Sequence, residues 1–209
     1  MSGPRGDGHP LLVAIDGPAG AGKSTVSTAL AERLGVERLD TGAMYRAVTW
    51  AALDRGVDVH DAGAVAALAK GLDLVVGPQV LVDGVDVTAA IRSPEVNRTV
   101  SIVAAIPGVR QVLVERQRKW AAEHGGGVVE GRDIGTVVFP DAQVKVYLTA
   151  TEAERARRRH DEAPEGLARR DELDRGRAAS PLLAAADAHR LDTTGRTVED
   201  VVEEVLSWL

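Results

Sequence analysis

Leu11-Leu12-Val13-Ala14-Ile15-Asp16, followed at once by Gly17-Pro18-Ala19-Gly20-Ala21-Gly22-Lys23-Ser24-Thr25, is the stretch on which the fold turns. Leu11 to Ile15 is a short apolar run, which reads as a strand buried on both faces, as in a parallel sheet. From about Ser24, residues Val26, Ala29, Leu30, Arg33 and Leu34 recur at helical spacing, and Gly35 ends the pattern. The loop between strand and helix matches G-x-x-x-x-G-K-[ST] in full. Its glycines let the backbone turn N–H groups onto phosphate, and the helix N-terminus adds the positive end of its dipole. Lys23 can reach β- and γ-phosphates, and the Ser24 hydroxyl can ligate Mg²⁺. A Gly-rich connector with no ligand is the bland alternative; the flanking strand and helix weigh against it. The motif implies a nucleoside triphosphate cradled by residues 17–25. It leaves open what the phosphate is used for.

Outward from this loop, strands and helices alternate. Val36 to Asp40 reads as a strand, and Gly42 to Arg55 as a helix with Met44, Val48, Ala51 and Ala52 on one face. From about Val57 to Arg92 the character changes. A short Ala-rich helix is followed by the apolar runs Leu72–Val76, Val80–Val82 and Val85–Val87, with Asp83-Gly84 as a tight-hairpin signal between the last two. This reads as a small inserted subdomain. Ser93-Pro94 and Pro107 mark helix starts. Val128–Glu130, Gln143–Leu148 and His189–Asp192 are strand candidates. Thr151-Glu-Ala-Glu154 fits a capping box opening a basic helix. Val198, Val201, Val202, Val205 and Leu209 form an apolar stripe on a closing helix. The alternation predicts an α/β fold, a mostly parallel sheet covered on both faces.

Composition narrows the function. Aromatic residues make up 3% of the chain, too few for a surface that stacks single-stranded bases, and the net charge of −6 offers no overall field for a long polyanion. The absence of cysteine excludes disulfides, thiolate zinc sites and a thiol nucleophile. No apolar run approaches a membrane span, and residues 1–10 lack a signal-peptide core, so a cytoplasmic protein with a disordered tail is expected. A monomer is the default expectation.

Three further stretches carry chemistry. In Leu39-Asp40-Thr41-Gly42-Ala43-Met44-Tyr45-Arg46, Thr41 and Arg46 could hold a second phosphate at the end of a strand. In Glu130-Gly131-Arg132-Asp133-Ile134-Gly135-Thr136-Val137-Val138-Phe139-Pro140, Arg132 suits a phosphate, and Asp133 could accept from an exocyclic amine. A local Arg–Asp surface pair is the competing reading. Arg155, Arg157, Arg158 and Arg159, then Arg169-Arg170-Asp171-Glu172-Leu173-Asp174-Arg175-Gly176-Arg177, form a cationic cluster in an otherwise acidic chain. Phosphoryl transfer needs such cations.

Together with Ile15–Ser24, these stretches resemble bacterial cytidylate kinase, and the similarity runs from about Leu12 to the C-terminus. The resemblance implies a single nucleoside-monophosphate-kinase domain over 11–209, with an NMP-binding insert at about 57–100 and a lid at about 155–177. It implies ATP and Mg²⁺, and CMP or dCMP as acceptor. By position, Thr41, Arg46, Arg132 and Arg177 would hold the CMP phosphate; Ser101, Arg110 and Asp133 would read cytosine; and Asp174 with Arg170 would hold the ribose. Lys23, Arg132, Arg158 and Arg177 would be catalytic. Thr41 replaces the serine expected there. Only ten residues, His160–Arg169, separate the basic helix from Arg170, which leaves open whether Arg155, Arg158 or Arg159 reaches ATP. A kinase for another small acceptor such as UMP, or an ATP-dependent binding module, are the rival readings.

Overall fold

The computed structural model describes residues 11–158, 164–176 and 182–209. Its centre is a five-stranded, wholly parallel sheet. The strands are β1 (Leu12–Asp16), β2 (Arg38–Asp40), β6 (Gly127–Glu130), β7 (Val144–Thr149) and β8 (His189–Asp192), in the order β2-β6-β1-β7-β8. β1 and β6 are flanked on both sides, and their side chains are almost wholly buried, as the unbroken apolar runs predict. One core layer lies between the sheet and helices α1 (Lys23–Leu34) and α8 (Val198–Leu206). The other lies beneath α2 (Thr41–Asp54), α3 (Ala62–Gly71), α4 (Pro94–Val103) and α5 (Pro107–His124). Both layers are built almost entirely of Val, Leu, Ile and Ala.

Local chemistry sets the helix ends. Asp40, Asp61 and Ser93 cap α2, α3 and α4, each accepting from the backbone N–H three residues on. Pro94 and Pro107 occupy first-turn positions, where a missing N–H costs nothing. The basic helix α6 (Glu152–Arg158) departs from expectation. Glu154 N–H bonds the Thr151 hydroxyl at 3.4 Å, but Thr151 N–H is taken by Thr194 and the Glu154 carboxylate by Arg157 and Arg158. The reciprocal half of the box is thus missing there. A complete box instead opens α8, between Thr197 and Asp200. The stripe on α8 is also shorter than its spacing suggests: Val201, Val202 and Val205 are buried, whereas Val198 and Leu209 are exposed.

The antiparallel ribbon read between Leu72 and Val87 forms. β3 (Leu74–Val76), β4 (Val80–Val82) and β5 (Val85–Asp86) make an antiparallel ribbon. Asp83 and Gly84 take φ of 49° and 79°, the left-handed pair of a two-residue hairpin turn. α3 packs on α5, and α4 packs on α2 and on α7 (Pro164–Arg175). The sequence reading has no counterpart for Ile134–Val138, a π-helical turn. Asp16, at the end of β1, holds it by accepting the N–H groups of Ile134 and Gly135, both at 2.8 Å.

Candidate active site

The phosphate loop, the Asp40 and Glu130 stretches and the basic helix each follow the carboxyl end of a strand of the parallel sheet, where ligands bind in open α/β folds. There the structure opens a cleft of about 570 Å³. Ala19, Gly20, Gly22, Lys23, Ser24 and Thr25 line one side. Thr41, Arg46, Ser101, Arg110, Arg132, Asp133, Arg158 and Asp174 also line it, as do Tyr45 and Glu130. Gly17, Pro18 and Ala21 do not line it; Ala21 is wholly buried, and the other two act through their carbonyls. Arg177 and Arg159 lie outside the described residues. So does the side chain of Arg170, although its backbone lies on α7.

On the phosphate-loop side, Lys23 Nζ donates to the carbonyls of Gly17 and Pro18 at 2.8 and 2.9 Å. Burial, and then the charge of Arg132, pull its pKa down to about 7; Glu130, Asp16 and Asp171 oppose the shift. Lys23 remains partly exposed to the cleft, and an anionic phosphate there would restore its charge. The Ser24 hydroxyl donates to Glu130 Oε2 at 3.0 Å. Glu130 is nearly fully buried and also pairs with Arg38 at 2.6 Å. Burial and the nearby Asp40 push its pKa up to about 7. A hydroxyl and a carboxylate side by side suit Mg²⁺, which prefers oxygen ligands. Among the described residues no group of three or more His, Asp or Glu could cage a metal. An ion held here would take its other ligands from phosphates and water, as Mg²⁺ commonly does.

Across the cleft, hydrogen bonds and ion pairs hold the polar side chains in place. Thr41 Oγ1 donates to the Glu130 carbonyl at 2.7 Å. Arg46 is held by Asn97 Oδ1 at 2.5 Å and by the Ile91 carbonyl at 3.1 Å. Arg110 Nη2 pairs with Asp133 Oδ2 at 2.5 Å, and its Nη1 donates to the Tyr45 hydroxyl at 3.3 Å. Arg132 and Asp133 do not form a surface pair with each other. Asp133 faces Arg110, while Arg132 turns to Asp171 and Asp174 on α7. Ser101 Oγ, on α4, donates to Asp174 at 3.3 Å and so joins α4 to α7.

The structure also divides the arginines of α6. Arg155 is buried and committed to the Ala19 carbonyl and the Asp171 carboxylate, away from the cleft lining. Arg158 lines the cleft beside Gly22, braced by Thr193 and Glu154. Of the two, only Arg158 lines the cleft. Sequence reasoning passed over Tyr45, Asn97, Glu130 and Asp171 as site residues. The acidic pair was accessible in principle, since Asp171 and Asp174, three apart, share one helix face.

Residues 13–209 match the model of the cytidylate kinase family. The chain belongs to that family. It is 48% identical to the cytidylate kinase of Desulfitobacterium hafniense (strain Y51), over 94% of this chain and 91% of that protein. It is 52% identical to the bifunctional pantoate ligase/cytidylate kinase of Parasynechococcus marenigrum (strain WH8102), over 93% of this chain. The chain spans only 42% of the length of that bifunctional relative. Among solved structures, a gluconokinase from Sinorhizobium meliloti 1021 superimposes with a TM-score of 0.54 at 14% identity, covering 96% of this chain and 91% of that one. At that identity the likeness supports the P-loop kinase fold alone.

Proposed function

We propose that this cytidylate kinase family member transfers the γ-phosphoryl group of ATP to CMP or dCMP, giving ADP and CDP or dCDP. The observation that carries the reading is the convergence, in one cleft, of a phosphate loop, two phosphate-competent arginines and the Ser101–Arg110–Asp133 set. Residues 17–25 bind the donor, with Lys23 and Arg158 facing its phosphates. Thr41, Arg46 and Arg132 receive the acceptor phosphate, together with Arg177. Asp133 accepts from the cytosine amine, with Arg110 and Ser101 beside it, and Asp174 and Arg170 hold the ribose.

An oxygen of the CMP phosphate attacks the γ-phosphorus in line; the new P–O bond forms as the bond to the β-phosphate oxygen breaks. The attacking group is already anionic near neutral pH, its second pKa being about 6. No general base is required, and the described cleft presents no histidine. The residues contribute position and charge neutralisation. Mg²⁺, held at Ser24 with Glu130 behind it, would neutralise charge on the β- and γ-phosphates. Two soluble nucleotide substrates fit the cytoplasmic location expected from the sequence, and no described helix is long and apolar enough to cross a membrane.

The test is phosphorus NMR of Mg·ATP mixed with CMP, for wild type and Lys23→Met. Wild type should move the γ-phosphoryl group onto CMP, with little inorganic phosphate formed. Lys23→Met should lose transfer by about three orders of magnitude or more. Transfer within a few-fold of wild type would sink the mechanism.

A further inference from the structure

The lid-region helix α7 reaches the phosphate loop through one side chain. Asp171 is 1% exposed, on a surface helix whose neighbouring Glu172 and Leu173 face solvent. Its Oδ1 accepts the Ala19 N–H at 3.1 Å and Arg132 Nη1 at 3.2 Å. Its Oδ2 accepts from Arg155 Nη1, which also donates to the Ala19 carbonyl at 3.1 Å. Both backbone groups of Ala19, at the turn of the phosphate loop, are therefore held by the lid region. The same seam leaves no room at Gly20, with φ of +77°, where a Cβ would lie 2.9 Å from Arg155.

We propose that Asp171 is a positioning residue for phosphoryl transfer: it fastens α7 to the phosphate loop and fixes the guanidinium of Arg132 toward the reacting phosphates. This rests on the kinase reading above. Of the three groups Asp171 binds, Arg132 lines the cleft, and it alone of the two arginines does so. Arg132 is gripped twice, by Asp171 at Nη1 and by Asp174 at Nε, one helical turn apart on α7. Two points of attachment on a planar guanidinium fix its orientation, which a single ion pair would not. The arrangement also balances charge. Two carboxylates from α7 meet two arginines, Arg155 buried and Arg132 partly buried at the cleft, so both cations are held close together without strong mutual repulsion. Burial alone would raise the Asp171 pKa, but Arg132, the Ala19 N–H and Arg155 together hold it below the ordinary range. The carboxylate is therefore charged throughout the pH range in which the enzyme would work.

A double-mutant cycle on the full chain tests the role, with kcat read at saturating Mg·ATP and CMP. Asp171→Asn keeps the side-chain shape and removes its charge. In the wild-type background kcat should fall about ten- to hundredfold, while KM for ATP moves by less than about threefold, because a misaligned cation weakens the transition state more than the ground state. In an Arg132→Met background the same substitution should add less than about twofold. A merely structural role would instead lower kcat by the same factor in both backgrounds, and that result overturns the proposal. An effect of less than about twofold in the wild-type background would also overturn it. If Asp171→Asn fails to give a cooperative thermal transition, Asp171→Ser, which leaves room for water, serves the same cycle. If wild type turns over no monophosphate, the kinase reading falls and the proposal with it. Additivity with intact wild-type turnover would remove only the role of Asp171.

Discussion

Removing the carboxylate of Asp133 takes a close, buried counter-charge away from the Arg110 guanidinium, and that sets the size of the expected effect. The side chains of Arg110 and Asp133 are each 7% exposed, and their charged atoms approach to 2.5 Å. Breaking such a pair by deleting one partner costs about 3–5 kcal/mol, because the remaining charge stays buried and uncompensated. The lower end applies here: the pair lines an open cleft that water can enter, and the Tyr45 hydroxyl and ring still face Arg110. Asp133→Ala should therefore destabilise the fold by about 3 kcal/mol and lower Tm by about 6–12 °C for a chain of this size. Arg110→Met combined with Asp133→Ala removes both charges and should recover at least half of that loss. The same substitution tests the base reading. A carboxylate that accepts the cytosine amine should be worth about ten- to hundredfold in kcat/KM for CMP. UMP, which presents a carbonyl there, should change far less, so the CMP/UMP ratio narrows. Thermal unfolding of the three proteins and turnover with both monophosphates supply the data. A Tm within about 2 °C of wild type would refute the ion-pair energetics, and an unchanged CMP/UMP ratio would refute the role in base choice.

Two further predictions use other parts of the site. Asn97→Ala removes the 2.5 Å partner of Arg46, so KM for CMP should rise about tenfold with little change in KM for ATP; equal shifts in both would show a general loosening instead. Asp16 carries a pKa raised by burial to about 6, with the Ile134 and Gly135 N–H groups partly opposing the rise. A raised carboxylate pKa contributes stability below the unfolded value of 3.8 and loses it as pH rises through about 6, here about 3 kcal/mol. The urea-unfolding free energy of Asp16→Asn should accordingly fall less than that of wild type between those two pH values, and parallel pH curves would contradict the assignment.

The parallel sheet and the loop that begins the site were legible because their signals are local. A continuous apolar run, a Gly-rich turn and a helix start at about Ser24 are all read within about twenty residues, and Asp83-Gly84 announces its own turn. What escaped the sequence is what depends on distant partners. The π-turn at Ile134–Val138 is held by Asp16, more than a hundred residues earlier, and no local pattern predicts it. Asp171 received no role from its sequence context, because its partners Ala19, Arg132 and Arg155 are spread over the chain. Arg155 and Arg158, three apart on one helix, looked equivalent; burial separates them, one under the loop and one at the cleft. The misplaced capping box has a similar cause. Thr151 and Glu154 have the right spacing, but Thr194 and two arginines compete successfully for the same groups.

The most direct test of the central claim is an ADP-release assay with Mg·ATP in which CMP, dCMP, UMP, AMP and GMP are offered separately at equal concentration. Turnover with CMP and dCMP, little with the others and almost none without an acceptor is the predicted result. Preferred turnover of another monophosphate would contradict the cytosine site built from Ser101, Arg110 and Asp133, and ATP binding without turnover on any acceptor would contradict phosphoryl transfer itself.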